Sequence, residues 1–228
     1  MRVVLVHGFT QTAASWEPIE REWRSLPIEP LAVEVPAGLA FRATAEAIGE
    51  EGGTATYAGY SMGGRLCLQL ALDRPEVVDR LVLVSAAPGI ADPAERATRR
   101  DADETLALEV ERDGVAMFVE RWLAQPLFAS LPPEASGIEE RKRSNTVGGL
   151  THQLRELGQG SQPPAWERLA EITMPTLLIV GALDRKYVDI AQRMAESITD
   201  VRVEVIPGAG HACHLEQPEA VSQLVASW

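Results

Sequence analysis

Lysine is almost absent from this chain: of 21 basic residues only Lys142 and Lys186 are lysines, and arginine carries the rest. Positive charge as a whole is also scarce, because 33 acidic residues leave a formal net charge of −12. That balance argues against nucleic acid or an anionic membrane as a partner, since both are held by clustered positive charge. Cysteine is nearly missing as well. Two thiols, Cys67 and Cys213, make no disulfide framework and read as reduced, buried residues of a cytoplasmic protein. No apolar run reaches the length of a membrane span, and Met1 leads straight into RVVLV, which leaves no stretch with the layout of a signal peptide. Internal repeats and low-complexity tracts are lacking too. What remains is an ordinary globular composition over 228 residues, enough for one sizeable core and one α/β domain.

Strand-like and helix-like segments alternate along that length. Arg2–Val6 is a continuous apolar run, the pattern of a strand buried on both faces of a parallel sheet. Further strands are expected at Leu31–Val35, Ala55–Tyr60, Arg80–Ser85, Thr176–Val180 and Val201–Ile206. Helices are expected from Ser15, as N-cap, to about Ser25, then over Thr44–Glu51, Met62–Leu72 and Ile190–Ser197, with a last one opened by Pro218. The alternation predicts an α/β fold with a mainly parallel six-stranded sheet covered by helices. From about Pro88 to Gln162 the rhythm stops. That stretch carries charged helical segments (Ala94–Val110, Val115–Ala124, Glu139–Gly158) broken by Pro126, Pro132-Pro133 and Gly148-Gly149. The expected organisation is a single domain, 1–228, with a core of residues 1–87 and 163–228. Residues 88–162 would form a helical lid over the carboxyl ends of the strands, where open α/β sheets bind ligands.

The chemistry centres on Gly59-Tyr60-Ser61-Met62-Gly63, a G-x-S-x-G pattern between an apolar strand and an apolar-periodic helix. A sharp strand-to-helix turn strains the central residue and leaves no room for side chains two before and two after it, hence the glycines. By itself the pattern is a frequent accident. Asp184 follows the fifth strand and His211 follows the sixth; alone, one reads as a turn or capping residue and the other as a loop histidine. In the order Ser61, Asp184, His211, each just past a parallel strand, they form a nucleophile, an orienting carboxylate and a base. Phe9 in the loop after the first strand and Met62 after the serine are placed to supply two oxyanion amides. His7 reads as a structural histidine, His214 as no base, and His211, Cys213 and His214 are too tightly spaced for a zinc site.

Arg65 stands four residues after Ser61, one helical turn along the same face. A surface arginine is awkward there, because the helix that follows such an elbow is normally buried. Arg96, Arg99 and Arg100 share a helix face, and Arg141 and Arg143 flank Lys142. Charge runs are usually solvated, so spacing alone does not decide which of these lines a pocket.

The motifs GYSMGGR, SAAPGIADPAERATRRDAD, FVERWLAQPLFASL, RKRSN, GALDRKY and IPGAGHACHLEQP together resemble the α/β-hydrolase fold. More narrowly, the chain resembles the 2-succinyl-6-hydroxy-2,4-cyclohexadiene-1-carboxylate synthases of menaquinone biosynthesis, from its first strand to its last helix. The resemblance implies a cofactor-independent carbon–oxygen lyase that eliminates pyruvate from a 5-enolpyruvyl cyclohexene tricarboxylate. It implies the triad Ser61, Asp184 and His211, the oxyanion amides of Phe9 and Met62, and substrate contacts from Tyr60, Arg65, Arg99, Trp122 and Arg143, with Arg100 the alternative to Arg99. The implied partner is a small-molecule tricarboxylate; no cofactor, metal, nucleic acid or membrane is called for, and monomer or homo-oligomer stays open. A serine hydrolase on the same triad is the alternative, and an idle fold serving as a small-molecule receptor a more distant one. A missing or reduced N-terminal hairpin departs from the usual fold.

Overall fold

The computed structural model describes residues 1–228. In chain order, the first half of the sheet and its helices are β1 (Arg2–Val6), α1 (Glu17–Glu22), β2 (Glu29–Val33), α2 (Phe41–Gly52), β3 (Ala55–Tyr60), α3 (Met62–Asp73) and β4 (Val78–Val84). The insertion that follows carries α4 (Pro93–Leu123), α5 (Ile138–Ser144) and α6 (Val147–Leu157). The chain then closes with β5 (Thr176–Gly181), α7 (Arg185–Ala195), β6 (Val201–Ile206), α8 (Cys213–Glu216) and α9 (Pro218–Ser227).

All six strands are parallel, in the order β2-β1-β3-β4-β5-β6. The continuous apolar runs arise because the central strands are buried on both faces. Along β1, Val4 and Val6 point to the side covered by α2, α3 and α7, while Val3 and Leu5 point to the side covered by α1 and α9. The same alternation recurs in β4, with Leu81 and Leu83 on the first side and Val82 and Val84 on the second. Each buried Val or Leu removed from water contributes about 1.5–3 kcal/mol, which makes this two-sided core the dominant stabilising element.

Several boundaries differ from the sequence expectation. Ser15 is no helix cap: Ala13–Trp16 form a 3₁₀ turn, and α1 opens two residues later with Pro18 in its first turn. Proline is preorganised for that position, so the helix begins where its missing N–H costs nothing. The edge strand β2 sits two residues earlier than expected, and α7 begins five residues earlier, directly behind Asp184. Within the insertion, α4 breaks at Gly114 (φ 77°, ψ 170°), a left-handed conformation that glycine takes freely. The break after α5 falls at Asn145 and Thr146, whose side chain caps α6, while Gly148 and Gly149 lie in the first turn of α6. The insertion has an apolar centre of its own, built from Ala107, Val110, Phe118, Leu150 and Leu154.

Candidate active site

Ser61, Met62, Asp184, His211 and Phe9 each stand just beyond the carboxyl end of a strand. Ser61 follows β3 with φ +49° and ψ −105°, a strained turn held between the β3 ladder and α3. A Cβ on Gly63 would lie 2.2 Å from the Val6 carbonyl oxygen, and one on Gly59 would lie 2.5 Å from the Gly63 backbone. Only glycine allows the helix to start so close to the strands. His211 Nδ1 donates to Asp184 Oδ2 at 2.6 Å, and that bond leaves Nε2 free to accept from the Ser61 hydroxyl at 3.2 Å. The rings of Tyr187, Tyr60 and Phe128 surround the imidazole at 4.6, 5.5 and 6.2 Å between centroids and fix its plane.

The Met62 amide opens α3 and has no intrahelical acceptor. The loop after β1 prepares a second free amide. The Gly8 carbonyl accepts from the Gln11 N–H at 3.1 Å and lies 2.9 Å from His7 Nδ1. In a trans peptide this points the Phe9 N–H the opposite way, and that amide enters no turn, loop or cap hydrogen bond. His7 is structural: its Nε2 accepts from the Val35 N–H at 3.1 Å. Burial drives the pKa of His214 well below the usual histidine range, and its ring lies 4.1 Å from that of Tyr60, so it is no proton shuttle for Ser61. His152 meets the Leu39 carbonyl. No group of three His, Cys, Asp or Glu side chains is placed to hold a metal ion. Both thiols are free and buried, and burial raises Cys213 to about 12.

Ser61 opens into a cavity of about 360 Å³ that is also lined by Phe9, Met62, Trp122, Phe128 and four cations: Arg65, Arg99, Arg141 and Lys186. Arg65 is buried, with Nη1 3.4 Å from Gln162 Oε1, its guanidinium over the Phe41 ring, and no partner for Nε. No carboxylate pairs with it, and desolvation lowers its pKa to about 10. Arg99 is 34% exposed and donates through Nε to Asp103 at 2.8 Å; Nη1 reaches Gln159 at 3.1 Å. Its neighbour Arg100 turns away to the Gly160 carbonyl, and Arg96 to those of Ile90 and Ala91. Between Arg99 and Arg100, Arg99 faces the cavity.

Arg143 corrects the expectation. Its side chain is 75% exposed and pairs with Glu140, away from the cavity. Two residues on a helix are 200° apart, so the face that turns Arg143 outward turns Arg141 inward. Arg141 is buried, donates to Thr10 Oγ1 at 2.6 Å and to the Ser136 carbonyl at 2.8 Å, has no carboxylate partner, and is lowered to about 10 by burial. Trp122 and Tyr60 do reach the cavity. The Trp122 indole N–H is buried without an acceptor, and the Tyr60 hydroxyl, held neutral by burial, faces the Arg141 charge. Lys186, exposed at the rim, carried no signal beyond following Asp184 by two.

A serine on a strained elbow after β3, a carboxylate after β5, a histidine after β6 and two free amides form an arrangement that can move a proton at a carbonyl-bearing centre. The family model described as alpha/beta hydrolase family matches residues 3–224, and the chain belongs to that family. Within it, the chain is 41% identical over 174 residues to a Bacillus subtilis (strain 168) protein provisionally named 2-succinyl-6-hydroxy-2,4-cyclohexadiene-1-carboxylate synthase. It is 35% identical over 177 residues to the Arabidopsis thaliana protein PHYLLO, chloroplastic. These matches cover 75% and 73% of this chain, and 64% and 10% of the relatives' own lengths. The solved structure of MenH from S. aureus superposes with a TM-score of 0.92 at 28% identity, over 100% of this chain and 92% of that one.

Proposed function

We propose that the protein is a carbon–oxygen lyase. It eliminates pyruvate from 2-succinyl-5-enolpyruvyl-6-hydroxy-3-cyclohexene-1-carboxylate and yields 2-succinyl-6-hydroxy-2,4-cyclohexadiene-1-carboxylate. The observation that carries this reading is Arg65: a buried guanidinium without a carboxylate, one helical turn from Ser61. An uncompensated buried charge is costly unless a ligand completes it, and this substrate brings three carboxylates. Arg141 offers a second uncompensated charge, with Arg99 and Lys186 beside it. Planar guanidinium forks suit carboxylates in a protein that is otherwise strongly acidic.

In this mechanism His211, oriented by Asp184, takes the proton of the Ser61 hydroxyl. The Ser61 oxygen in turn takes the ring proton next to the succinyl ketone. The Phe9 and Met62 amides hold the enolate oxygen that develops. As the enolate re-forms the ketone, its electrons move through the ring and the carbon–oxygen bond to the enolpyruvyl group breaks. The leaving enolpyruvate takes up a proton and becomes pyruvate, and no cofactor enters. Trp122 and Tyr60 supply neutral donors. The insertion of residues 88–162 acts as a lid over a single-domain core of residues 1–87 and 163–228.

The test is a coupled assay in which the unstable enolpyruvyl cyclohexene is generated in place and pyruvate and diene absorbance are followed together. Ser61-dependent release of both products well above the spontaneous rate is expected; release at the spontaneous rate alone overturns the reading. The second reading, a serine hydrolase, is favoured by the same triad. A neutral ester has no use for Arg65, so Arg65→Ala separates the two.

A further inference from the structure

Thr10 is the one β-branched residue of this chain at positive φ, +66°, and it is fully buried. Such a conformation is strained for a branched residue and persists only where the surroundings hold it. Thr10 directly follows Phe9, whose amide is one of the two oxyanion donors. From the sheet side, Gln11 clamps the preceding residue: the Gly8 N–H donates to Gln11 Oε1 at 3.0 Å, and the Gln11 N–H donates to the Gly8 carbonyl at 3.1 Å. From the insertion side, two residues at the end of α5 reach Thr10 itself. Arg141 donates to its Oγ1 at 2.6 Å, and Asn145 Nδ2 donates to its carbonyl at 2.8 Å. The same Nδ2 donates to the Arg141 carbonyl at 2.8 Å, which ties the bond to the end of the helix.

We propose that Asn145 is a positioning residue for the oxyanion hole. It holds Thr10 in its strained conformation and so keeps the Phe9 amide aimed at the developing oxyanion while α5 is seated. Seating the insertion and completing the hole thereby become one event. The inference rests on reading Phe9 and Met62 as the oxyanion amides of Ser61. Arg141 makes the companion bond but also lines the cavity, so its loss would mix binding with positioning. Asn145 is not among the cavity-lining residues, which makes it the clean probe.

The test uses two readouts on the full chain. One is phosphonylation of Ser61 by a small fluorophosphonate: the serine oxygen bonds to phosphorus, fluoride leaves with the phosphorus–fluorine bond, and the hydroxyl proton passes to His211. This reaction needs the nucleophile and the hole but no arginine. The other is pyruvate elimination, resolved into kcat and KM. Asn145→Ala is expected to slow phosphonylation and kcat about tenfold, with KM changed by less than about threefold, since a misaimed oxyanion donor weakens transition-state stabilisation rather than binding. The near-isosteric Asn145→Asp, which cannot donate to the Thr10 carbonyl, should do the same if the alanine variant folds poorly. In a Thr10→Gly background, where glycine takes φ +66° without strain, Asn145→Ala should cost less than about threefold. Rates within about twofold of wild type, or an undiminished loss in the Thr10→Gly background, overturn the proposal. If wild type is phosphonylated but releases no pyruvate, the proposed reaction falls and phosphonylation alone decides the role of Asn145. A wild-type Ser61 inert to the probe overturns both.

Discussion

Arg65 and Arg99 face one cavity from two regions built on different rules. Arg65 stands on α3, whose place is dictated by backbone: glycines against strand ends, a strained serine, and a helix buried along nearly its whole length. There the guanidinium is carried inside with no counter-charge. Arg99 stands on the insertion, whose place is dictated by side chains, and it arrives with Asp103 already 2.8 Å away. The sheet can hold an uncompensated charge because apolar burial on both of its faces offsets the cost. The smaller insertion neutralises one of its two pocket arginines and anchors the other, Arg141, to Thr10. Rigid scaffolding thus holds one costly charge, Arg65, and the insertion holds another, Arg141, whose partners are a neutral hydroxyl and a backbone carbonyl.

The largest effect expected is on the sheet side. Ser61→Ala should lower kcat for pyruvate release by on the order of 10⁴-fold while substrate still binds. Residual activity near wild type would remove Ser61 as the base and with it the contrast between the regions. Next, Arg65→Ala should cost about 2–4 kcal/mol in kcat/KM, and Arg99→Ala about 1 kcal/mol, because part of the Arg99 charge is already spent on Asp103. Equal losses would show that burial and pairing do not rank these side chains. Within the insertion, Arg141→Ala should raise KM about tenfold or more, whereas Arg143→Ala should stay within about twofold; the reverse order would restore Arg143 as a ligand.

The free protein provides a sharper comparison. Burial lowers Arg65 to about 10, below its unfolded value, so at every pH under about 10 its charge opposes folding, and the penalty lifts only as pH rises past that value. Arg65→Met should therefore raise stability at pH 7 by about 1–3 kcal/mol while abolishing efficient turnover. Unchanged or reduced thermal stability would mean that the surroundings compensate the charge after all. The smallest effect concerns His214, which stays neutral in the fold. The unfolded chain takes up a proton near pH 6.5 and the folded chain only well below it, so stability should fall as pH drops under about 6.5, by at most about 1.4 kcal/mol per pH unit. His214→Asn should flatten that slope in thermal melts between pH 7 and 5; an unchanged slope would assign it to other groups.

The sheet and the triad were legible in the sequence for a physical reason. A strand buried on both faces must be continuously apolar, and an elbow must carry glycines at fixed offsets. Asp184 and His211 then stand where two of the strands end. Spacing from Ser61 singled out Arg65, the resemblance added Trp122 and Tyr60, and all three line the cavity. Reading failed where a helix was short and charged on every side. Around Arg141, Lys142 and Arg143 the local pattern holds no apolar stripe to say which face turns inward, and the motif R-S-N pointed to Arg143.

Chain order and local periodicity alone therefore determined the class of fold, the parallel sheet, the choice of Ser61, Asp184 and His211 as three residues that meet, and the presence of a cation one turn after the serine. Those features follow from backbone sterics and solvent exclusion, which act over a few residues. Tertiary structure alone decided that Arg141 rather than Arg143 enters the cavity, that Asp103 pairs with Arg99 while no carboxylate pairs with Arg65, and that Thr10, at positive φ, meets Arg141 and Asn145 of the insertion. The first depends on how a whole helix is rotated and the last on contacts 131 and 135 residues apart; Arg99 and Asp103 stand only four apart, and what the tertiary structure decides there is that no carboxylate reaches Arg65. Local sequence does not encode that rotation, because it is set by what the helix packs against.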